Sequence, residues 1–229
     1  MRNHALLILN GPLEPTDIAI FENLWSNARL RVCADAGYLR LRSWADAHCH
    51  ADWEPHLVVG DLDSIDNSVL SKLDAKGIQV MHLPDQDRTD FDKALEVIYH
   101  TVEHLEMVIA TGGLWGRMDH TLASLNLLYS QKDKQIALIG DSSLVTLLRI
   151  GENQVFFDKE DFSPTCGIVT LADPAHVYCN SLAWPLHGIE LRVGGLQSTS
   201  NRITEDAMEA GHLLIKGDVP VLWLMTLNN

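Results

Sequence analysis

Short apolar runs alternate with amphipathic stretches over roughly the first 140 residues of this chain, and then the alternation stops. The runs at 5–9, 30–34, 57–59, 78–83, 107–110 and 135–139 predict strands, bounded as they are by turn residues. Helical patterns fill the gaps, at 17–27, 38–47, 64–76, 90–104 and 119–131. In the fourth, Leu95, Ile98, Val102 and Leu105 recur at helical spacing and are expected to face the sheet. Strands that alternate with helices imply a mostly parallel sheet with crossover helices, so a doubly wound α/β domain is predicted. Beyond Gly140 the runs are short and rich in Val, Ile, Thr and aromatics: 144–150, 154–157, 167–171, 176–179, 188–193, 212–216 and 221–226. Turn residues such as Ala172-Asp173-Pro174 separate them, which predicts a C-terminal antiparallel β-sandwich. The expected division is 1–142 and 143–229; no low-complexity linker and no internal repeat marks it.

Composition narrows the setting. With 229 residues the chain can bury a substantial core. Its formal net charge of −14 opposes sequence-independent nucleic-acid binding, which needs clustered Lys and Arg. A phosphate-bearing substrate stays possible, because a metal ion can supply positive charge locally. Cys33, Cys49, Cys166 and Cys179 are widely spaced, as in a reduced cytoplasmic protein. The apolar start at 4–10 is too short for a signal peptide, and no run approaches the roughly 18 residues of a membrane span.

The candidate chemistry lies at strand ends, where open α/β sheets bind ligands. Asp61 and Asp63 follow the run at 57–59; in an extended segment their carboxylates would share one side and could reach one ion. Oxygen-only ligands favour Mg²⁺ or Ca²⁺. Asp85-Gln86-Asp87-Arg88-Thr89-Asp90-Phe91-Asp92-Lys93 follows the next run and opens a helix. Thr89 can cap that helix and Asp90 and Asp92 suit its dipole, but Lys93 opposes it and calls for an anionic neighbour. The stretch Thr111 to His120 carries three glycines, which permit close backbone approach, and Arg117, whose fork suits phosphate oxygens. Asp35 ends the second run. Four strands would thus bring Asp35, Asp61/Asp63, Asp87/Asp90 and Arg117/Asp119 to one rim, an arrangement fit for metal-assisted phosphoryl transfer. His48-Cys49-His50 lacks a complete ligand set, and Ser142-Ser143 has no His and Asp at triad spacing.

These stretches, with Ser181-Leu182-Ala183-Trp184-Pro185-Leu186 and Gln197-Ser198-Thr199-Ser200-Asn201 in the β-rich half, make the chain resemble the thiamin pyrophosphokinase family over nearly its whole length. Ala36 stands where the family usually has glycine in an Asp-Gly-Gly turn, and Ser124-Leu125-Asn126 differs slightly from its usual run. The resemblance implies transfer of diphosphate from ATP to the hydroxyl of thiamin with release of AMP, by a homodimer with shared active sites. It implies Mg²⁺ on Asp61, Asp63 and Asp90, with Lys93 and Arg117 completing the catalytic set. It further implies ATP contacts at Asp35, Asp87, Thr89, Lys93, Gly113, Arg117, Asp119 and His120. Thiamin contacts are implied at Gln86, Trp184, Ser198, Thr199, Ser200 and Asn201. An indole face attracts a cationic aromatic ring such as that of thiamin. Two rivals remain at this stage: a diphosphokinase for a related alcohol such as a hydroxymethylpterin, and a regulator that binds nucleotide or thiamin without turnover.

Overall fold

The computed structural model of the chain describes residues 3–13, 18–114, 116–140 and 142–228. It divides into two compact units, Met1–Leu127 with Leu138–Asp141 and Leu128–Ala137 with Ser142–Asn229.

The first unit is the α/β layer that the apolar periodicity predicts. Strands β1 (His4–Ile8), β2 (Leu30–Ala34), β3 (Leu57–Gly60), β4 (Gln79–His82) and β5 (Met107–Thr111) pair in the order β5-β1-β2-β3-β4, and β6 (Ile136–Gly140) lies beside β5. All four pairings among β1 to β5 are parallel. Ile8 is opposite both Cys33 and Thr111, and Gly60 is opposite His82, so the strands end on one level. Helices α1 (Ile18–Asn27), α2 (Gly37–Ala47), α3 (Asn67–Ala75), α4 (Asp90–Thr101) and α5 (Met118–Ser130) connect them. Every residue of β1 is buried, as expected of a strand covered on both faces.

Two helix ends differ from the sequence pattern. The third helix begins at Asn67 rather than 64, because Leu62 to Ile65 close a turn and Asp66 takes an extended backbone ahead of the helix. The fourth stops at Thr101: Val102 is extended and His104 has φ 55, so the chain turns toward β5. Leu95 and Ile98 are buried as predicted, but Val102 and Leu105 belong to this exit rather than to the helical stripe. The predicted start of the first helix at Asp17 lies outside the described residues. His48 and His50 stack on Trp44, and His50 stacks on Trp53 as well, so the His-Cys-His tract is part of an aromatic cluster.

The second unit holds two antiparallel sheets. One has the order β12-β9-β14-β7, from β7 (Ser143–Leu148), β9 (Phe162–Val169), β12 (Ser198–Arg202) and β14 (Val221–Leu227). The other has the order β11-β10-β13-β8, from β8 (Gly151–Phe156), β10 (Ala175–Cys179), β11 (Leu186–Leu191) and β13 (His212–Gly217). Buried and exposed residues alternate strictly along β10 and β13, so each presents one face to the core. Strand β12 and the short helix α6 (Glu205–Ala210) escape the apolar pattern, one because it is polar, the other because it is short. Across the described residues no helix is long and apolar enough to cross a membrane.

Trp223 anchors this unit. It is fully buried on the central strand β14, opposite Thr146 and Ile168. Trp223→Ala is expected to cost about 3–5 kcal/mol, the usual range for truncating a core aromatic. Urea unfolding followed by circular dichroism measures it.

Candidate active site

The level strand ends of the first unit carry the acidic residues. Strand β2 ends at Ala34 and delivers Asp35, which is buried and has φ 44. Aspartate tolerates this left-handed conformation better than most side chains. Its amide donates to the Val59 carbonyl at 2.8 Å, which ties it to β3. One residue on, Gly60 has φ 157 and leaves room for it: a Cβ there would stand 3.0 Å from Asp35 Cβ and 3.2 Å from Asp90 Oδ1. Carboxylate oxygens of Asp35, Asp61 and Asp90 all lie within 4.8 Å of one another.

Asp63 is not in that cluster. The extended i, i+2 geometry expected for Asp61 and Asp63 is replaced by a turn, with Leu62 at φ 61 and the Asp63 amide directed to Asp61 Oδ1 at 3.4 Å. Asp63 is exposed and accepts from the Ser64 hydroxyl. Asp35 takes the third place instead. Its position at the end of β2 put it on the common rim, and the pairing of β2 with β3 brings it into the cluster.

Lys93 explains why the cluster is tolerated. It lies on the first turn of α4, is 2% exposed, and donates to Asp90 Oδ1 at 3.1 Å, with Asp61 Oδ2 at 4.0 Å. Thr89 caps the helix by accepting from the Asp92 amide at 3.2 Å. Burial pushes the Asp90 carboxyl above its ordinary value, and the charges of Asp61 and Asp35 add to this, against the opposing effect of Lys93. Burial acts upward on Asp61 too, but hydrogen bonds from Gln86 and the Asp63 amide, with the Lys93 charge, hold it below the usual carboxylate range.

The donor set suits a hard divalent cation. It is all oxygen, Lys93 is the one ammonium paired with it among the described residues and reaches Asp90 and Asp61, and the buried Asp35 Oδ1 has no hydrogen-bond partner. A cation on these residues would satisfy that oxygen and relieve the repulsion that raises Asp90.

The remaining predicted residues fall into two groups. Gln86 is drawn to the cluster, donating to Asp61 Oδ2 at 2.9 Å, while the Asp87 amide is held by Asp85. Gly113 is packed against Leu9 and Ser124. Arg117 and Asp119 form an exposed two-point pair, with the Arg117 hydrogen bond holding the Asp119 carboxyl down, and His120 is exposed beside them. Trp115, within the same motif, lies outside the described residues.

In the second unit, Trp184 is 61% exposed. Its backbone is clamped by Asn201, whose Oδ1 accepts from the Trp184 amide at 3.2 Å and whose Nδ2 donates to the Trp184 carbonyl at 2.9 Å. Asn201 also donates to the Ser198 hydroxyl, and both are buried. Asn201 thus fixes the backbone that carries the exposed indole, whereas Thr199 and Ser200 are exposed. Ser200 has φ 57, within the bulge that interrupts the pairing of β12 with β9.

Comparison with known proteins gives a consistent answer. Residues 21–139 match the family model described as thiamin pyrophosphokinase, catalytic domain, and residues 152–210 match thiamin pyrophosphokinase, vitamin B1 binding domain. Thiamine pyrophosphokinase 2 of Arabidopsis thaliana is 33% identical, over 98% of this chain and 86% of its own. Thiamin pyrophosphokinase 1 of Caenorhabditis elegans is 33% identical, over 86% of this chain and 80% of its own. The solved structure of thiamin pyrophosphokinase from Candida albicans superposes with a TM-score of 0.84 at 22% identity, covering 99% of this chain and 90% of that one. With one family model covering more than half its length and relatives matched nearly end to end, the chain belongs to the thiamin pyrophosphokinase family of enzymes.

Proposed function

We propose that this enzyme transfers diphosphate from ATP to the hydroxyl of thiamin in a Mg²⁺-dependent reaction, giving thiamin diphosphate and AMP. The observation that carries the reading is the Asp35–Asp61–Asp90 cluster with Lys93 buried against it and one carboxylate oxygen unpaired. Asp61 and Asp90 are assigned to the ion together with Asp35, which stands in the cluster where Asp63 was expected. Magnesium, when bound, neutralises charge on the polyphosphate and orients it. Lys93 and Arg117 stabilise charge on the transferring group, and Asp35, Asp87, Thr89, Gly113, Asp119 and His120 contact ATP. Trp184 offers its exposed indole face to the thiamin ring, with Gln86, Ser198, Thr199, Ser200 and Asn201 as the further contacts. Residues 1–142 serve nucleotide and metal, and 143–229 serve thiamin and dimer formation, in a cytoplasmic homodimer with shared active sites that binds neither nucleic acid nor membrane.

An AMP-release assay with MgATP tests the reading. AMP is expected with thiamin, and Asp61→Asn is expected to abolish it while circular dichroism stays unchanged. Release only with a hydroxymethylpterin would replace the acceptor, and release with neither would favour a binding regulator. Trp184→Ala is expected to raise the thiamin KM by about tenfold and the ATP KM by less than about twofold; equal effects would mark a packing role.

Stability offers a test that is independent of turnover. Lys93→Met leaves the carboxylates without their cation and is expected to cost about 3 kcal/mol near neutral pH. Without that ammonium, burial and the neighbouring carboxylates raise Asp90 further, so that it holds its proton more tightly folded than unfolded. A folded pKa raised in this way gives stability that is present at low pH and lost as pH rises through it. The deficit of the variant in urea unfolding is therefore expected to be smaller near pH 5 than at neutral pH, and magnesium is expected to reduce it. A deficit independent of pH and magnesium would remove Lys93 from the electrostatic role.

A further inference from the structure

The end of β1 carries polar chemistry that the proposed reaction leaves unused. The chain runs β1, β2, β3, β4 toward one edge, then returns to place β5 on the other side of β1. Open α/β sheets bind ligands beyond the carboxyl ends of the strands that flank such a reversal, here beside the segments that follow Ile8 and Thr111. Both segments are held in place. The Leu9 amide donates to the Thr111 carbonyl at 2.9 Å, and Gly11 approaches Gly112 so closely that a Cβ on Gly11 would stand 1.9 Å from the Gly112 carbonyl oxygen.

Asn10 lies between those two contacts, and its Oδ1 accepts from Arg40 Nε at 3.2 Å. Arg40 is the fourth residue of α2, where a cation opposes the helix dipole rather than benefiting from it. The neutral amide takes only Nε, and no carboxylate of the described residues pairs with this guanidinium. The other cations of the motifs at this sheet end are engaged: Lys93 with Asp90 and Asp61, Arg88 with Asp92 and Glu96, Arg117 with Asp119. Arg40 is exposed, is held to Asn10 at Nε, and keeps both terminal nitrogens without a carboxylate partner among the described residues, in a chain that carries a net charge of −14. Two parallel N–H groups match a phosphate, and an arginine held at Nε spends little further entropy in meeting one.

We propose that Arg40, held by Asn10 beside the carboxyl end of β1, is a phosphate-binding residue and holds a phosphate group of the nucleotide. The assignment rests on the diphosphate-transfer reading for the identity of the nucleotide, and on geometry alone for the phosphate.

Calorimetric titration of the full chain with AMP and with inorganic pyrophosphate, each with magnesium, tests it beside steady-state AMP release. Arg40→Met is expected to weaken one or both ligands by about tenfold to a hundredfold, the range for a lost charge-assisted contact. It is expected to raise the ATP KM while leaving the thiamin KM within about twofold. Arg40→Lys is expected to recover only part of the loss, since an ammonium keeps the charge but not the fork. Asn10→Ala is expected to fall between wild type and Arg40→Met. Weakening of AMP assigns the phosphate that stays with adenosine, weakening of pyrophosphate assigns the transferred pair, and undiminished affinity for both overturns the proposal. An unchanged melting midpoint for Arg40→Met separates a contact from a folding defect, and equal losses in the two KM values would also overturn it. Should the wild type release no AMP with thiamin, the diphosphokinase reading fails by itself, and the two titrations still decide the phosphate contact.

Discussion

Mutual repulsion among Asp35, Asp61 and Asp90 is the constraint to which the catalytic unit is built. Like charges at this distance are held only where the scaffold fixes them and something offsets them. Two parallel strands, β2 and β3, and the opening turn of α4 supply the fixing. Lys93 supplies part of the offset, at a helix position that the dipole alone would disfavour and in burial that a lone ammonium would not tolerate. Cation and carboxylates account for one another. The buried Asp35 oxygen is left unpaired, and burial together with the neighbouring carboxylates keeps Asp90 raised, so a divalent ion on the cluster would complete the offset.

The second unit solves the opposite problem. A large apolar ring must be kept in water rather than away from it, and kept still. Trp223 follows the ordinary logic of burial, whereas Trp184 is held out by two backbone hydrogen bonds to a buried asparagine. Asn201 is buried at low cost because the Trp184 backbone, Ser198 and the Arg202 amide together satisfy it. Clamping the backbone in this way fixes the point from which the exposed indole is presented.

Much of this was legible in the sequence for identifiable reasons. The parallel strands are near-continuous Val, Ile and Leu runs because both of their faces are covered, and the acidic residues follow them directly, so their common rim could be read from order alone. Lys93 stood out because it contradicts helix electrostatics. Other features depend on contacts that no local pattern encodes. Asp35 joins the cluster through the pairing of β2 with β3 and a left-handed backbone, while Leu62 in the same conformation turns Asp63 away. Asn10 and Arg40 meet across 30 residues of chain, one in a loop and one on an exposed helix face. Strand β12 is polar and interrupted by a bulge, so neither hydrophobicity nor alternation announces it.

Gly60 bears on ion size. Its missing side chain is the gap that lets the β2 and α4 carboxylates close on the β3 end, with Asp35 Cβ and Asp90 Oδ1 at the edge of contact. Magnesium demands short oxygen bonds and near-octahedral geometry, whereas calcium accepts longer bonds and looser arrangements. Any larger residue at this position would press on Asp35 and Asp90 and spread the carboxylates, a change expected to favour the larger ion over the smaller. The residue that contributes no ligand atom thus governs how closely the three carboxylates approach.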